Sequence, residues 1–273
     1  MNKIVFTDLD GTLLNSQWQL SARNRETLRK LIDSDIIIVV VTGRSLYSAI
    51  KVLGDDFPMD YLIFSTGAGI MNWKTKEIIY KKNISDTQVT LCVETFLSEK
   101  INFMLHREIP DSHFFYYHLD HQTPEDFNQR LDIYAEFAEP FSINNHHSQV
   151  ATQFLSILRP DRFQTVYDMI KERLETLSIV KTTSPLTGRS LWLEIYAPEV
   201  SKGKTSSLLA QTLGVSVDNT MAVGNDYNDS DLLEWSMNSF VVDNAPWFLK
   251  DKYTTVSSND QDGFSEAVSK WLT

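Results

Sequence analysis

Asp8 and Asp10 flank Leu9 at the end of a short, apolar, β-prone run, Ile4-Val5-Phe6-Thr7. Side chains alternate along an extended segment, so both carboxylates lie on the same side of the chain. Two carboxylates so placed divide naturally into a nucleophile and a group that moves protons. Asp10-Gly11 taken alone is also a strong turn signal, so the pair acquires weight from its company. Thr42-Gly43-Arg44 follows a second apolar run and opens a helix, where free N–H groups and the helix dipole favour an anion. Lys202, in Ser201-Lys202-Gly203-Lys204, stands at another helix start, where a cation opposes the dipole and points to a bound anion. The loop Gly224-Asn225-Asp226-Tyr227-Asn228-Asp229 offers carboxylate and amide oxygens, which suit a hard cation such as Mg2+.

Each tripeptide or loop has a plain reading as a turn, a cap or a solvated lysine. Their order along one α/β pattern favours a common site. Asp8, Asp10, Asp229 and a phosphate dianion would gather around Lys202 and Arg44, and like charges this close require a divalent metal to coexist. Gly203-Lys204-Thr205 also resembles the tail of a nucleotide-binding P-loop, but Pro198 stands where that motif needs glycine.

The elements that must position these residues read as strand, helix, strand, helix, strand. The strands are Ile4 to Thr7, the run Ile36 to Val41, which is apolar on both faces, and Tyr61 to Phe64. Helices fall between them, the first with Ser21 as its cap and Leu20, Leu28, Leu31 and Ile32 on one face, the second carrying Leu46, Ile50 and Leu53. This pattern predicts a doubly wound parallel sheet, in which ligands bind beyond the carboxyl ends of the strands. From about residue 83 to 197 the chain becomes rich in aromatics and histidines, and the α/β pattern then resumes. The expected organisation is a Rossmann-like core, 1–82 and 198–273, interrupted by an inserted domain, 83–197.

The 273 residues are 42% hydrophobic, enough for one large core or two smaller ones. With 25 basic and 36 acidic side chains the net charge is -11, which repels nucleic acid and acidic membranes. A small phosphorylated metabolite remains a suitable partner at a locally positive pocket. One cysteine, no signal-peptide layout and no apolar run near the roughly 20 residues of a membrane span predict a cytoplasmic protein. Oligomeric state is not written in the sequence.

The motifs together resemble those of the haloacid dehalogenase superfamily, and within it the Cof-type phosphatases. Asp8-Leu9-Asp10-Gly11-Thr12-Leu13-Leu14 is similar to the first motif, Val41-Thr42-Gly43-Arg44 to the second, Ser201-Lys202-Gly203 to the third and Asn228-Asp229 to the close of the fourth. Asn244-Ala245 and Asp262-Gly263-Phe264 resemble lesser signatures. The resemblance implies Asp8 as nucleophile and Mg2+ ligand, and Asp10 as general acid and base that ligates through its carbonyl. Thr42 and Lys202 would hold the phosphoryl group, with Leu9, Gly43, Arg44 and Asn228 around it, and Asn225 and Asp229 completing the metal site. The inserted segment sits where the family carries an α/β cap that selects substrate.

Two positions depart from the pattern. Asn225 replaces the usual metal carboxylate, and Thr66-Gly67-Ala68 replaces a frequent Asn-Gly-Ala. The expected activity is hydrolysis of a small phosphate monoester, a sugar phosphate or a phosphorylated cofactor, through a phospho-aspartate. A sugar phosphomutase and a catalytically weak phosphometabolite-binding protein are the alternatives, the latter favoured by Asn225 and disfavoured by Asp8 with Asp10. His106, His113, His118, His121, His146 and His147 match no zinc-finger spacing, and the aromatics around them, Phe114 to Tyr117 among them, read as core. Arg107 and Arg189 are candidates to face substrate, while Lys74, Lys76, Lys81 and Lys82 read as a solvated edge.

Overall fold

The computed structural model describes residues 3–120, 123–146 and 149–273, so His121 and His147 lie outside the described residues. The chain divides into two compact units. The first comprises 1–44, 48–80 and 201–273, and the second 45–47 and 81–200.

The first unit opens with β1 (Ile4–Asp8), α1 (Ala22–Asp33), β2 (Ile37–Val41), α2 (Leu46–Leu53), β3 (Tyr61–Phe64), β4 (Gly69–Asn72) and β5 (Glu77–Lys81). In the second unit come α3 (Asp86–Ser98), β6 (Phe103–Arg107), β7 (Phe115–His118), α4 (Glu125–Ile133), β8 (Ala138–Pro140), α5 (Ile143–His146), β9 (Ala151–Leu158), α6 (Pro160–Arg173), β10 (Ser178–Thr183) and β11 (Leu191–Tyr196). The chain then returns to the first unit with α7 (Lys202–Thr212), β12 (Thr220–Gly224), α8 (Ser230–Trp235), β13 (Asn238–Val242), α9 (Trp247–Lys250), β14 (Thr254–Val256) and α10 (Gly263–Leu272).

The first unit is built on an eight-stranded sheet of order β14-β13-β12-β1-β2-β3-β4-β5. The six strands from β14 to β3 run parallel, and β4 turns back antiparallel on β3. Helices cover parallel strands on both faces, and β1 and β12 are accordingly buried along their whole length. Ile4, Phe6, Val39, Val41, Ile63, Ala222 and Val241 form the centre of one core. Full burial of a large apolar side chain of this kind contributes about 1.5–3 kcal/mol. Ser21 caps α1 by accepting from the Asn24 N–H at 3.0 Å, as its sequence position predicts. Leu28 and Leu31 face the core, whereas Ile32 is 43% exposed and lies off the buried stripe.

Register places Asp8 opposite Val41 and Thr7 opposite Val223. The loops after β1, β2 and β12 therefore leave the sheet at one edge, the carboxyl end where such folds bind ligands.

The second unit carries a six-stranded sheet, β10-β11-β9-β6-β7-β8, antiparallel except for the β7–β8 pair. Its cores include Phe96, Phe103 and Phe154, in mutual ring contact, and a cluster of Met104, Phe115, Phe127, Leu155, Ile157 and Trp192. Among the described residues no helix is long and apolar enough to cross a membrane.

Candidate active site

Asp8 is the last residue of β1 and is buried. Its Oδ1 accepts from Lys202 Nζ at 2.6 Å, and the same ammonium reaches Asp229 Oδ1 at 2.6 Å. Lys202 is 1% exposed, so this is a fully desolvated triad of two carboxylates around one cation. One ammonium cannot neutralise both acids. Burial, with the Asp229 charge adding to it and Lys202 opposing, pushes the Asp8 pKa up to about 7. Lys202 shifts the other way in its balance: burial alone would lower its pKa, but Asp229 and Asp8 hold it well above the usual lysine range. It stays charged at every working pH.

Lys202 begins α7, and what fixes that helix start is local. Ser201 caps it by accepting from the Lys204 N–H at 3.2 Å. Gly203 donates its N–H to Asp231 Oδ2 at 2.9 Å. A Cβ at Gly203 would stand 2.5 Å from the Asp231 backbone, so only glycine lets α8 approach this closely. Asp229 is held as firmly: its Oδ2 accepts from the N–H groups of Asn225 at 2.8 Å and Asp226 at 3.0 Å. Both oxygens of Asp229 thus face protein donors.

Asp10 sits two residues beyond Asp8 and is half-exposed. Arg44 grips its carboxylate with both prongs, Nη2 to Oδ1 at 2.6 Å and Nε to Oδ2 at 2.7 Å. Arg44 Nη1 in turn donates to Ser48 Oγ at 3.1 Å. This bidentate geometry is the strongest form of such a pair. Thr42, buried at the end of β2, accepts from the Arg44 N–H at 3.1 Å and so sets the turn that delivers the guanidinium. Leu9 is buried, and its carbonyl accepts from the Leu14 N–H. The Gly43 α-carbon passes close to Asn228, whose amide nitrogen would stand 3.7 Å from an added Cβ. The structure therefore gathers Asp8, Lys202 and Asp229 in one triad and Asp10 with Arg44 in one ion pair, and it brings Asn228 beside Gly43.

Whether these residues fit a divalent cation turns on their free oxygens. Asp8 Oδ2 is buried and has no protein hydrogen-bond partner. Asn225 Oδ1 accepts from the Thr12 hydroxyl at 3.1 Å. Gly11, at φ +72°, leaves room for the Asn225 amide, which would stand 2.6 Å from a Cβ there. Among the described residues no group of three or more His, Cys, Asp or Glu is placed to hold a metal ion. An anionic oxygen on Asp8 and a neutral amide oxygen on Asn225 are donor types that suit a hard cation such as Mg2+, with fewer charges than a set made of carboxylates.

Asp231, Thr12 and Ser48 play parts that motif spacing did not single out. Asp231 follows Asp229 at the alternate position and was readable at most as a helix-start acid. Asn244, within a lesser signature, donates from Nδ2 to the Gly11 carbonyl at 2.8 Å and steadies the first loop. Ser65 and Thr66 both adopt the left-handed region, at φ +48° and +55°, an uncommon pairing that marks the altered Thr66-Gly67-Ala68 segment as conformationally special.

The family model for haloacid dehalogenase-like hydrolases matches residues 5–268. Among curated proteins, the 5-amino-6-(5-phospho-D-ribitylamino)uracil phosphatase YwtE of Bacillus subtilis is 25% identical, the alignment covering 99% of this chain and 98% of that protein. Among solved structures, SMU.1108c from Streptococcus mutans superposes with a TM-score of 0.82 at 18% identity, covering 100% of this chain and 99% of the other. The subclass IIB sugar phosphatase BT4131 gives 0.78 at 18% identity, with 99% of each chain covered. Likeness at these identities speaks for the fold.

Proposed function

Because the chain belongs to the haloacid dehalogenase-like hydrolases, and so is an enzyme of the phosphatase kind, we propose that it hydrolyses a small phosphate monoester through a phospho-aspartate on Asp8. The observation that carries this reading is the state of Asp8. It is a buried carboxylate with one oxygen fixed by Lys202 and the other without a protein partner. A structural ion pair has no need of a partnerless oxygen; a nucleophile that also touches a cation does.

In the proposed reaction Asp8 attacks phosphorus in line, and Asp10 protonates the leaving alkoxide. Asp10 then takes a proton from the water that cleaves the aspartyl phosphate. The Arg44 fork orients Asp10 for both transfers. Lys202 and the backbone N–H groups at Leu9 and Gly43 neutralise charge on the equatorial oxygens, the main task in phosphoryl transfer. Asp8, the Asp10 carbonyl and Asn225 Oδ1 are the groups to hold Mg2+. The ion, when bound, screens the phosphate from the carboxylates and keeps Asp8 ionised. We assign residues 83–197 as the substrate-selecting cap. The substrate class is a sugar phosphate or a phosphorylated cofactor precursor, the latter in keeping with the activity named for YwtE. We place the enzyme in the cytoplasm, which suits a single thiol, Cys92, whose pKa burial pushes up to about 12.

The test is release of inorganic phosphate from a panel of esters with magnesium, with manganese and with chelator. Metal-dependent release by wild type and none by Asp8→Asn, at unchanged melting temperature, is the expected result. Turnover retained in Asp8→Asn removes the nucleophile assignment.

A further inference from the structure

The turn Ser65-Thr66-Gly67-Ala68 joins β3 to β4, and three residues in a row take positive φ there, Ser65 at +48°, Thr66 at +55° and Gly67 at +106°. Glycine is at ease in that region; a serine and, above all, a β-branched threonine are not. Hairpin turns that need it ordinarily use Gly, Asn or Asp. Joining two strands therefore does not explain the conformation. A backbone persists in this region where its surroundings over-determine it, so the contacts of the turn identify what it is held for.

Ser65 and Thr66 are 3% and 0% exposed. Both give their backbone N–H groups to the segment after β2: Ser65 donates to the Arg44 carbonyl at 2.8 Å and Thr66 to the Thr42 carbonyl at 3.0 Å. The Thr66 hydroxyl oxygen would stand 3.5 Å from a Cβ added to Gly43, so its side chain flanks the same segment. Thr42, Gly43 and Arg44 are thereby held from one side, and Arg44 is the residue that grips Asp10.

The other side of the turn lies on α7. Thr205, buried and nearly one helical turn after Lys202, donates its hydroxyl to the Gly67 carbonyl at 2.8 Å. A Cβ on Gly67 would stand 2.5 Å from the Ser201 carbonyl oxygen and 2.7 Å from Thr205 Oγ1, so the turn rests directly on the helix start that carries Lys202. Asp8 and Asp10 are already joined along the chain through Leu9. The turn supplies the matching link between their cations, Lys202 and Arg44.

We propose that Thr205 and Thr66 are positioning residues, and that the turn they hold sets Lys202 and Arg44 at the separation that lets Asp8 and Asp10 act on one phosphoryl group. The assignment rests on the phosphatase reading above. Neither residue touches the reacting atoms; both act through the backbone of the turn. Small misplacements of catalytic groups lower the rate steeply, and an interaction realised only in the transition state shows in kcat rather than in KM.

The experiment compares Thr205→Val, Thr205→Ser and Thr66→Gly with wild type on the best ester of the phosphate-release panel, each at a temperature where its melting curve shows it folded. Thr205→Val keeps the shape, removes the donor and should lower kcat by about 10- to 100-fold with KM within about twofold. Thr205→Ser keeps the hydroxyl and should stay within about threefold of wild type in kcat. Thr66→Gly suits the left-handed backbone, so its melting temperature should lie within about 3 °C of wild type. It also frees the turn, and kcat should fall by about three- to tenfold. Equal losses in Thr205→Val and Thr205→Ser, or wild-type kcat in both Thr205→Val and Thr66→Gly, overturn the assignment, as does a loss carried by KM alone. If Thr205→Val does not fold, Thr66→Gly decides by the same kcat criterion. If wild type releases no phosphate from any ester, the phosphatase reading fails by itself, and amide hydrogen exchange then tests the tie. Exchange at positions 65 and 66 about tenfold faster in Thr205→Val and Thr66→Gly, and unchanged in Thr205→Ser, supports it; exchange equal to wild type in all three overturns it.

Discussion

Replacing Lys202 by Met removes the ammonium shared by Asp8 and Asp229 while refilling most of its volume with a flexible apolar chain. Two buried carboxylates are then left facing each other. Deleting one partner of a buried ion pair costs about 3–5 kcal/mol, because the remaining charge is neither solvated nor compensated. In a chain of this size each kcal/mol moves the melting temperature by about 2–4 °C, so the loss should be about 6–20 °C at pH 8. The pH dependence gives a sharper check. Asp8 already titrates at about 7 in the folded wild type against 3.8 for a free carboxyl, with burial the first cause. A raised pKa means that the folded state binds the proton first, so wild-type stability falls as pH rises from about 4 to about 7. Without Lys202 the Asp8 pKa climbs further, and the fall continues to higher pH. The deficit of the mutant should thus be largest at pH 8 and shrink at pH 5, where the folded form carries the proton. Calorimetry at both pH values in chelator measures it, and Lys202→Met/Asp229→Asn should recover part of the loss. An unchanged melting temperature at pH 8, or a deficit that grows toward pH 5, refutes the under-compensated triad.

Arg44→Lys keeps the charge but replaces a two-pronged grip on Asp10 with a point contact, and Arg44→Met removes both. The expected order of kcat is wild type, then Lys, then Met, with about tenfold per step, and equal kcat for all three refutes an orienting role. Asn225→Asp restores a carboxylate beside Thr12 and should tighten magnesium binding about tenfold, the low end of what one added charge at contact distance gives. Titration calorimetry reads this directly, and equal affinity shows that residue 225 does not touch the ion.

The positions of the chemical residues were legible because backbone rules set them. Alternation along β1, the apolar run of β2 and the helix starts after them place Asp8, Asp10, Thr42 and Lys202 at one edge of a parallel sheet. That these charges gather was legible; which carboxylate takes which cation was not. An arginine at a helix start reads as an anion site, yet Arg44 closes on Asp10, because a two-residue spacing gives a direction and not a partner. Asp229 reads as a ligand or a cap, and the loop folds so that it accepts two N–H groups and serves Lys202. The second unit was least readable, since its strands pair across the long separations of β6 with β9 and β9 with β11, and such pairing follows neighbours rather than local propensity. Arg130 illustrates this: in sequence it is an ordinary charge in the last turn of a helix with Tyr134 one turn on, and β7 and β11 add the further rings of Phe115 and Trp192.

Under the proposed reaction, the two ion groups of the site bear on where a cation would be needed. Asp10 has a full counter-charge in Arg44, and Asp229 has Lys202 together with two backbone donors. The excess negative charge therefore settles on Asp8, the residue with the partnerless oxygen and the raised pKa. A phosphate dianion brought to that oxygen adds charge where compensation is already short, and no movement of Lys202 can relieve it without stripping Asp229. In the proposed reaction the demand for a divalent ion is thus local to Asp8 rather than spread over the loop after β12. A neutral oxygen at position 225 is tolerable under that proposal, because a ligand there would complete coordination without having to supply the charge.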